Sequence, residues 1–435
     1  VPFVFIRAET TTRHNPRMNQ QVIVAGGGIG GLACALALAR SGVSTVLLEQ
    51  AAAFGEVGAG LQLGPNATRV LADWGLSDAL QACAAFPEAL HVRDAHRGAD
   101  LGQLRLGAMA IARHGQPYAT LHRADLHSLL LAAVQEHGLT ELRLDTRLAS
   151  FSESPDGVAA TLHDSSTLTG VALLGCDGLW SRVRSQLLGP QPVRASGHLA
   201  YRGMVRTADL PVALRANVVT AWLGPRMHVV HYPVRGGEWM NVVAVVHGVL
   251  GQGHGGEPGS DPQAWTHEAR AADLQRALGP ACTDLMAMID AVPAWALWAL
   301  NDRPAMGGAQ EQAQGRVALV GDAAHPLRPY LAQGAAMAIE DAWTLGRILK
   351  PARARDNWPK ALALFADTRW QRNARVQQHS QRNGRIFHAT GLVRWGRDTA
   401  MRWLGERLLD NPWLYDGPPE PAQDPTLSPH AKRKT

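Results

Sequence analysis

Hydrophobic and polar positions along the chain follow two periods. The run QVIVA at 21–25 is short and apolar throughout, as a strand buried on both faces requires, and it gives way to the glycine run GGGIGG at 26–31. Leu32 to Arg40 then reads as a helix and Ser44 to Glu49 as a second short apolar strand, so the segment predicts a βαβ unit. Two later segments, VALLGCDG at 171–178 and RVALVGDAAHP at 316–326, again end a buried strand on an acidic residue, and both are predicted as inner strands of the same sheet. Between them, Met227 to Val234 and Met240 to Val246 alternate as a sheet with one buried face does. The pattern therefore predicts an α/β chain in which a nucleotide-binding domain (21–90, 120–190 and 300–350) is interrupted by a β-rich domain (91–119 and 191–299). A helical segment (351–416) follows. Gly248 to Pro262 reads as a loop, since no helix follows its glycines. An extension over 1–20 and a Pro-rich tail over 417–435 are expected to be disordered.

Length and composition narrow the class. At about 150 residues per domain, 435 residues hold two or three folded units, and 46% hydrophobic with 18% charged residues is ordinary globular usage. Cys34, Cys83, Cys176 and Cys282 have neither CxxC spacing nor a histidine partner at metal spacing, so no disulfide framework or metal site is expected and a reducing cytoplasm is. No apolar run reaches the ~20 residues of a membrane span, and residues 1–17 lack the apolar core of a secretion signal, which makes Met18 a candidate start. The net charge of +5 draws on Arg369, Arg372, Arg375, Arg382 and Arg385 and on Lys432 to Lys434, too diffuse for a nucleic-acid stripe. A homodimer is left open.

The glycine run carries the first chemistry. Gly26, Gly28 and Gly31 form a GxGxxG fingerprint between strand and helix: Gly26 for the tight turn, Gly28 for backbone approach to a pyrophosphate, Gly31 for close helix–strand packing, with the positive helix end facing the anion. Glu49 follows 18 residues beyond Gly31 at a strand end, where a carboxylate can accept from both ribose hydroxyls and disfavours a 2′-phosphate. FAD and NAD both qualify. The segment at 315–342 separates them: Asp322 at a strand end suits ribityl hydroxyls, and a helix opening at Gln333, Gly334 and Ala335 suits the negative charge a reduced flavin carries at N1–C2=O. A bare glycine turn and a strand–turn–helix with a capping aspartate are the bland readings of the two segments.

Together, GGGIGG at 26–31, CDGLWSRVR at 176–184 and GDAAHP at 321–326 resemble the single-component FAD-dependent aromatic hydroxylases. EVGAGLQLGPNA at 56–67, LHRADLHSLL at 121–130 and WLYD at 413–416 look like the salicylate and 3-hydroxybenzoate hydroxylase branch, and the resemblance runs from Val22 to Asp416. It implies the para-hydroxybenzoate hydroxylase fold: an interrupted Rossmann-like FAD-binding domain, a β-sheet substrate domain and C-terminal helices. It also implies insertion of one oxygen atom of O2 into a small aromatic acid, with bound FAD and transient NADH or NADPH. By the resemblance, Arg123 contacts the pyrophosphate, Asp177 lies where FAD and the incoming pyridine nucleotide compete, Val57 to Gly60 shape the isoalloxazine pocket, and Pro329 faces the flavin ring. The plainer alternatives are a helix-start charge for Arg123, a turn former for Asp177 and turn glycines at Gly58 and Gly60.

The substrate side is read from Met227 to Pro233. His228 and Tyr232 are four apart and share a strand face, while His231 points the other way. A lone strand histidine is most often a satisfied core residue, but His228, Tyr232 and Pro233 match the hydroxybenzoate hydroxylase pattern, which makes His228 a base poised at its ordinary value of about 6.5. Arg202 can meet the substrate or be structural, and Arg328 can point inward to a carboxylate or outward to solvent. Two rival functions remain: a flavin dehydrogenase or reductase of the same superfamily, and a non-catalytic carrier that binds a partner through the basic helix at 369–385.

Overall fold

The computed structural model describes residues 20–55, 59–191, 193–250 and 267–421. Its first sheet has six strands in the order Ala313–Gln314, Val317–Leu319, Ala172–Gly175, Val22–Ala25, Thr45–Leu48 and Thr140–Arg143. All neighbours are parallel except the first pair. Alternation divides the strands between two cores. Val22, Val24 and Leu47 pack under the helices Ile29–Arg40, Arg123–His137 and Gly334–Leu349, while Ile23, Ala25, Val46 and Leu48 pack against Leu148, Val158, Ala160 and Leu168 of a three-stranded antiparallel sheet over 148–170. That small sheet is absent from the sequence reading, because its strands are short and half their side chains face water.

The second large sheet has eight strands, ordered His267–Ala269, Trp295–Asp302, Arg194–Arg206, Trp239–His247, Met227–Val234, Val218–Gly224, Ala89–Asp94 and Asp100–Arg105. It begins at Ala89 and ends at Asp302, so it takes two residues from the predicted nucleotide segment at 21–90 and three from that at 300–350. One face buries Tyr201, Trp222, Met227, Val229 and Val242 against the helices Ala271–Leu278 and Thr283–Ala291. The registers His198↔His247, Ala200↔Val245, Arg202↔Val243 and Val230↔Val243 place His198, Arg202, His228, Val230, Tyr232, Asn241, Val243 and His247 together on the opposite, inner face.

The helix Trp358–Phe387 packs beneath Gly334–Leu349. The tail expected to be disordered from 417 is anchored over its described part: Gly417 and Pro418 are buried, Arg69 donates to the Gly417 carbonyl, and Arg347 pairs with Glu420 at 3.1 Å. Pro and Gly content alone cannot register such partners. The predicted extension over 1–20, apart from Gln20, the remainder of the tail and most of the Gly248 to Pro262 loop lie outside the described residues.

Candidate active site

The glycine turn follows from local sterics. Gly26 has φ +106°, and a Cβ there would fall 2.4 Å from the Cys176 carbonyl oxygen; one at Gly31 would fall 1.9 Å from the Gly26 oxygen. No side chain caps the helix that begins at Ile29, so its first N–H groups remain for an anion, and Gly28 supplies its N-cap. Glu49 is half-buried at the end of the second strand; its Oε2 accepts from Gly27 N and its Oε1 from Ala51 N, each at 2.8 Å. Those bonds fix the carboxylate beside the turn and leave lone pairs for further donors.

The second predicted cofactor segment is 321–335. Asp322 follows the strand Val317–Leu319 with its tip open to solvent; desolvation by the surrounding protein raises its carboxyl, against the pull of Arg123, His325 and Arg184. The charge of Arg123 also reaches Arg202. Ala332 is held at φ +51°, and the chain then enters the helix Gly334–Leu349 without a side-chain cap. A Cβ at Gly334 would meet nothing within 4 Å, so the helix N-terminus is open to an anionic group. Asp177 Oδ2 accepts from Arg182 N and Val183 N at the start of a short helix whose cap is Ser181, and burial raises its carboxyl. Val57 and Gly58 lie outside the described residues. Gly60 begins a strand whose N–H donates to Asn241 Oδ1 at 2.7 Å, and a Cβ there would fall 2.6 Å from Asn241 Cγ and 2.8 Å from the Tyr232 ring. It is packed tightly against the inner face of the second large sheet and is not a plain turn glycine.

A buried ionic network holds the 321–335 segment, and the sequence reading passed over it. Arg369, fully buried, donates to Glu340 at 2.7 Å and to Asp341 at 2.8 Å; Arg372 donates to Glu340 at 2.7 Å. Asp341 accepts from His325 Nε2 at 2.6 Å and Gly321 N at 3.2 Å, and Asn66 links Glu340 to Gln333. Burial alone would raise the Asp341 carboxyl, but His325 and Arg369 more than offset it and hold it well below the carboxylate range. The basic helix therefore turns Arg369 and Arg372 inward, while Arg375, Arg382 and Arg385 stay exposed.

On the inner sheet face, the predicted geometry of Met227–Val234 is observed. Tyr232 meets Gly60, while His231 faces the other core beside Trp222, its rings 6.2 Å apart and both its nitrogens buried without a partner. His228 is not the base poised near 6.5 that the sequence suggested. It is 2% exposed, and burial, followed by the neighbouring His198, lowers it to about 3. Its Nδ1 lies 2.8 Å from His388 Nε2, and His388 Nδ1 lies 3.0 Å from His247 Nε2. Tyr330 bonds His198 Nδ1 and sets its ring 5.3 Å from that of His228, which brings the Pro329 turn against the imidazoles. Arg328 is half-buried, and Asp302 holds its Nε at 2.6 Å. Arg202 lies over Trp298 at 4.8 Å with its Nε buried and unpartnered.

His198 and His247 could have been found by the same strand alternation that placed His228 and Tyr232 on one face, since each is an even number of residues from an inner-face position. His388 caps the end of a long helix and carries no local signal.

Residues 19–380 match the family model described as FAD binding domain. The chain is 39% identical to 3-hydroxybenzoate 6-hydroxylase of Polaromonas naphthalenivorans over 91% of this chain and 95% of that one. It is 37% identical to a 3-amino-4-hydroxybenzoate 2-monooxygenase of Streptomyces platensis over 92% and 96%. Among solved structures, a salicylate hydroxylase substrate complex superposes with a TM-score of 0.75 at 26% identity, covering 92% of this chain and 96% of that one. By this family match and these relatives, the chain belongs to the FAD-dependent aromatic monooxygenases, the single-component flavin hydroxylases.

Proposed function

We propose that this monooxygenase hydroxylates a monohydroxybenzoate, with 3-hydroxybenzoate the first choice, and that it draws electrons from transiently bound NADH or NADPH. One observation carries the choice of an aromatic acid: the inner sheet face has a cationic end at Arg202, an apolar middle at Ala200, Val230, Val243 and Val245, and an imidazole end at His228. Arg202 and His228 stand two strands and two residues apart, roughly 12 Å between Cα atoms by ideal sheet spacing, and their side chains shorten the gap toward the length of a hydroxybenzoate. A carboxylate at Arg202 supplies the partner that buried guanidinium lacks.

Gly26, Gly28, Gly31 and Glu49 are assigned to the adenosine and pyrophosphate half of FAD, Arg123 and Asp177 to its middle, and Asp322, Gly334 and Ala335 to the flavin. Pro329 and Gly60 bound the ring's pocket on either side. FAD, when bound, accepts hydride from the nicotinamide and delivers one oxygen atom of O2 to the ring. The chain's own part is to hold the substrate against water and to accept the phenolic proton at His228 Nε2, since Nδ1 is taken by His388. Tyr232, whose hydroxyl burial keeps protonated, closes the pocket beside Gly60. Four free cysteines support a reducing compartment such as the cytoplasm, and no helix among the described residues is long and apolar enough to cross a membrane.

The test is NADH and NADPH consumption with 3-hydroxybenzoate, salicylate, 4-hydroxybenzoate and 6-hydroxynicotinate, with product and hydrogen peroxide measured together. Stoichiometric hydroxylation of 3-hydroxybenzoate is the expected result. Peroxide alone with all four would remove the hydroxybenzoate assignment.

A further inference from the structure

A base that binds protons as weakly as a buried imidazole cannot store one, so the surroundings of His228 decide its use. Five rings converge there: His198, His228 and His247 from three adjacent strands, Tyr330 from the turn after Pro329, and His388 from the end of the helix Trp358–Phe387. The charged groups around them are Arg226 near His247, Arg328 near His198 and Arg397 near His388. Asp302 and Asp398 pair with Arg328 and Arg397 at 2.6 and 2.7 Å, and neither carboxylate bonds one of the imidazoles, although the Asp302 charge acts on Tyr330. Burial and mutual repulsion therefore keep the imidazoles neutral. A neutral imidazole has one donor nitrogen and one acceptor, so a file of them must run head to tail.

Such a file is present. His228 Nδ1 meets His388 Nε2 at 2.8 Å, and His388 Nδ1 meets His247 Nε2 at 3.0 Å. His228 is 2% and His388 6% exposed, whereas His247 is exposed to solvent. The nitrogens of His198, His247 and His388 lie within 4.8 Å of one another, a spacing a divalent ion could bridge, but no carboxylate joins them and three arginines oppose added positive charge.

We infer that His228, His388 and His247 form a proton relay that carries the phenolic proton of the substrate from the closed pocket to solvent. In one passage His228 Nε2 takes the proton and Nδ1 releases its own to His388 Nε2; His388 Nδ1 releases to His247 Nε2, and His247 Nδ1 to water. Each ring ends neutral in its other tautomer, and a proton travelling inward resets all three. The inference rests on the substrate being a phenol, as proposed above.

The test uses the FAD-loaded enzyme with 3-hydroxybenzoate and NADH. His388→Gln keeps a donor and an acceptor in place but has no second tautomer to pass a proton through. It is expected to retain FAD and bind substrate within about twofold of wild type while product-forming turnover falls at least tenfold and electrons go to hydrogen peroxide. His247→Ala, at the open end, is expected to lose several-fold and to recover with millimolar imidazole. His198→Gln, off the file, is expected to change turnover by less than twofold. If His388→Gln hydroxylates as well as wild type, or if imidazole fails to restore His247→Ala, the histidines act by packing and the relay is wrong. A larger loss in His198→Gln than in His388→Gln would route the proton through Tyr330 and equally overturn it. Wild-type enzyme that hydroxylates no hydroxybenzoate would instead overturn the substrate assignment.

Discussion

Beneath the helix Gly334–Leu349 the chain buries Glu340, Asp341 and Arg369 with every charge matched, whereas on the inner face of the eight-stranded sheet it buries His228 and His388 with no counter-charge. The first cluster ties Gly321, His325 and Gln333 to one spot through carboxylates that stay ionised, so it fixes the segment assigned to the flavin. Matched charges of this kind carry a large desolvation cost and hold their protons firmly. The second cluster is neutral, and each ring can exchange a proton with the next at little electrostatic cost. One region is built to hold position, the other to let a proton leave, and the difference follows from where the arginines point.

Breaking the matched cluster is expected to have the largest effect. Arg369→Met removes the guanidinium shared by Glu340 and Asp341, leaving Glu340 only Arg372 and Asp341 only His325 as ion-pair partners among the described residues; breaking such a buried pair costs about 3–5 kcal/mol and should lower the melting temperature sharply and release FAD. A melting curve and flavin absorbance like those of wild type would show that the network is dispensable. Next, His228→Gln should retain FAD and oxidise NADH when substrate is present, yet form product about 10²-fold more slowly or worse, with peroxide in its place. His231→Gln, facing the opposite core, should keep near-normal coupling; equal defects in the two would dissolve the distinction between the faces. A smaller effect belongs to Glu49→Ala, which removes the acceptor of Gly27 N and should weaken FAD binding by about tenfold, one to two charge-assisted hydrogen bonds.

The smallest effect separates the clusters by pH. Burial lowers His228 to about 3 and His198 to about 4, below the unfolded value of about 6.5, so the unfolded chain binds more protons between those limits. Their stabilising contribution is complete above pH 6.5 and is lost as pH falls toward 3–4. The lowered Glu340 and Asp341 contribute above the unfolded carboxylate range and lose it only as pH falls below about 4.5. Scanning calorimetry should therefore show a modest drop in melting temperature between pH 7 and 5, flatter in His388→Gln and unchanged in slope in Glu49→Ala. An unaltered slope in His388→Gln would mean the imidazoles do not titrate as a group.

Legibility in the sequence followed distance along the chain. The βαβ unit, Glu49 and the helix start at Gly334 were readable because strand, turn and helix signals lie within a few residues of one another, and strand alternation correctly separated His228 and Tyr232 from His231. The Asp341–Arg369 pair and the contact of His388 with His228 join residues 28 and 160 positions apart, and no local period encodes them. The ionisation of His228 was misjudged for the same reason: the side chains that desolvate it come from two other strands, a turn and a distant helix. Composition misled at Gly417 and Pro418, which are buried and where Arg69 donates to the Gly417 carbonyl.

The most direct test of the assignment is turnover under oxygen-18 gas with NADH and 3-hydroxybenzoate, followed by mass spectrometry of the product. One labelled oxygen in a dihydroxybenzoate, formed in proportion to NADH consumed by wild type and replaced by labelled peroxide in His228→Gln, is the expected result. A product whose new oxygen comes from water, or NADH oxidation that never labels the aromatic ring, would contradict it.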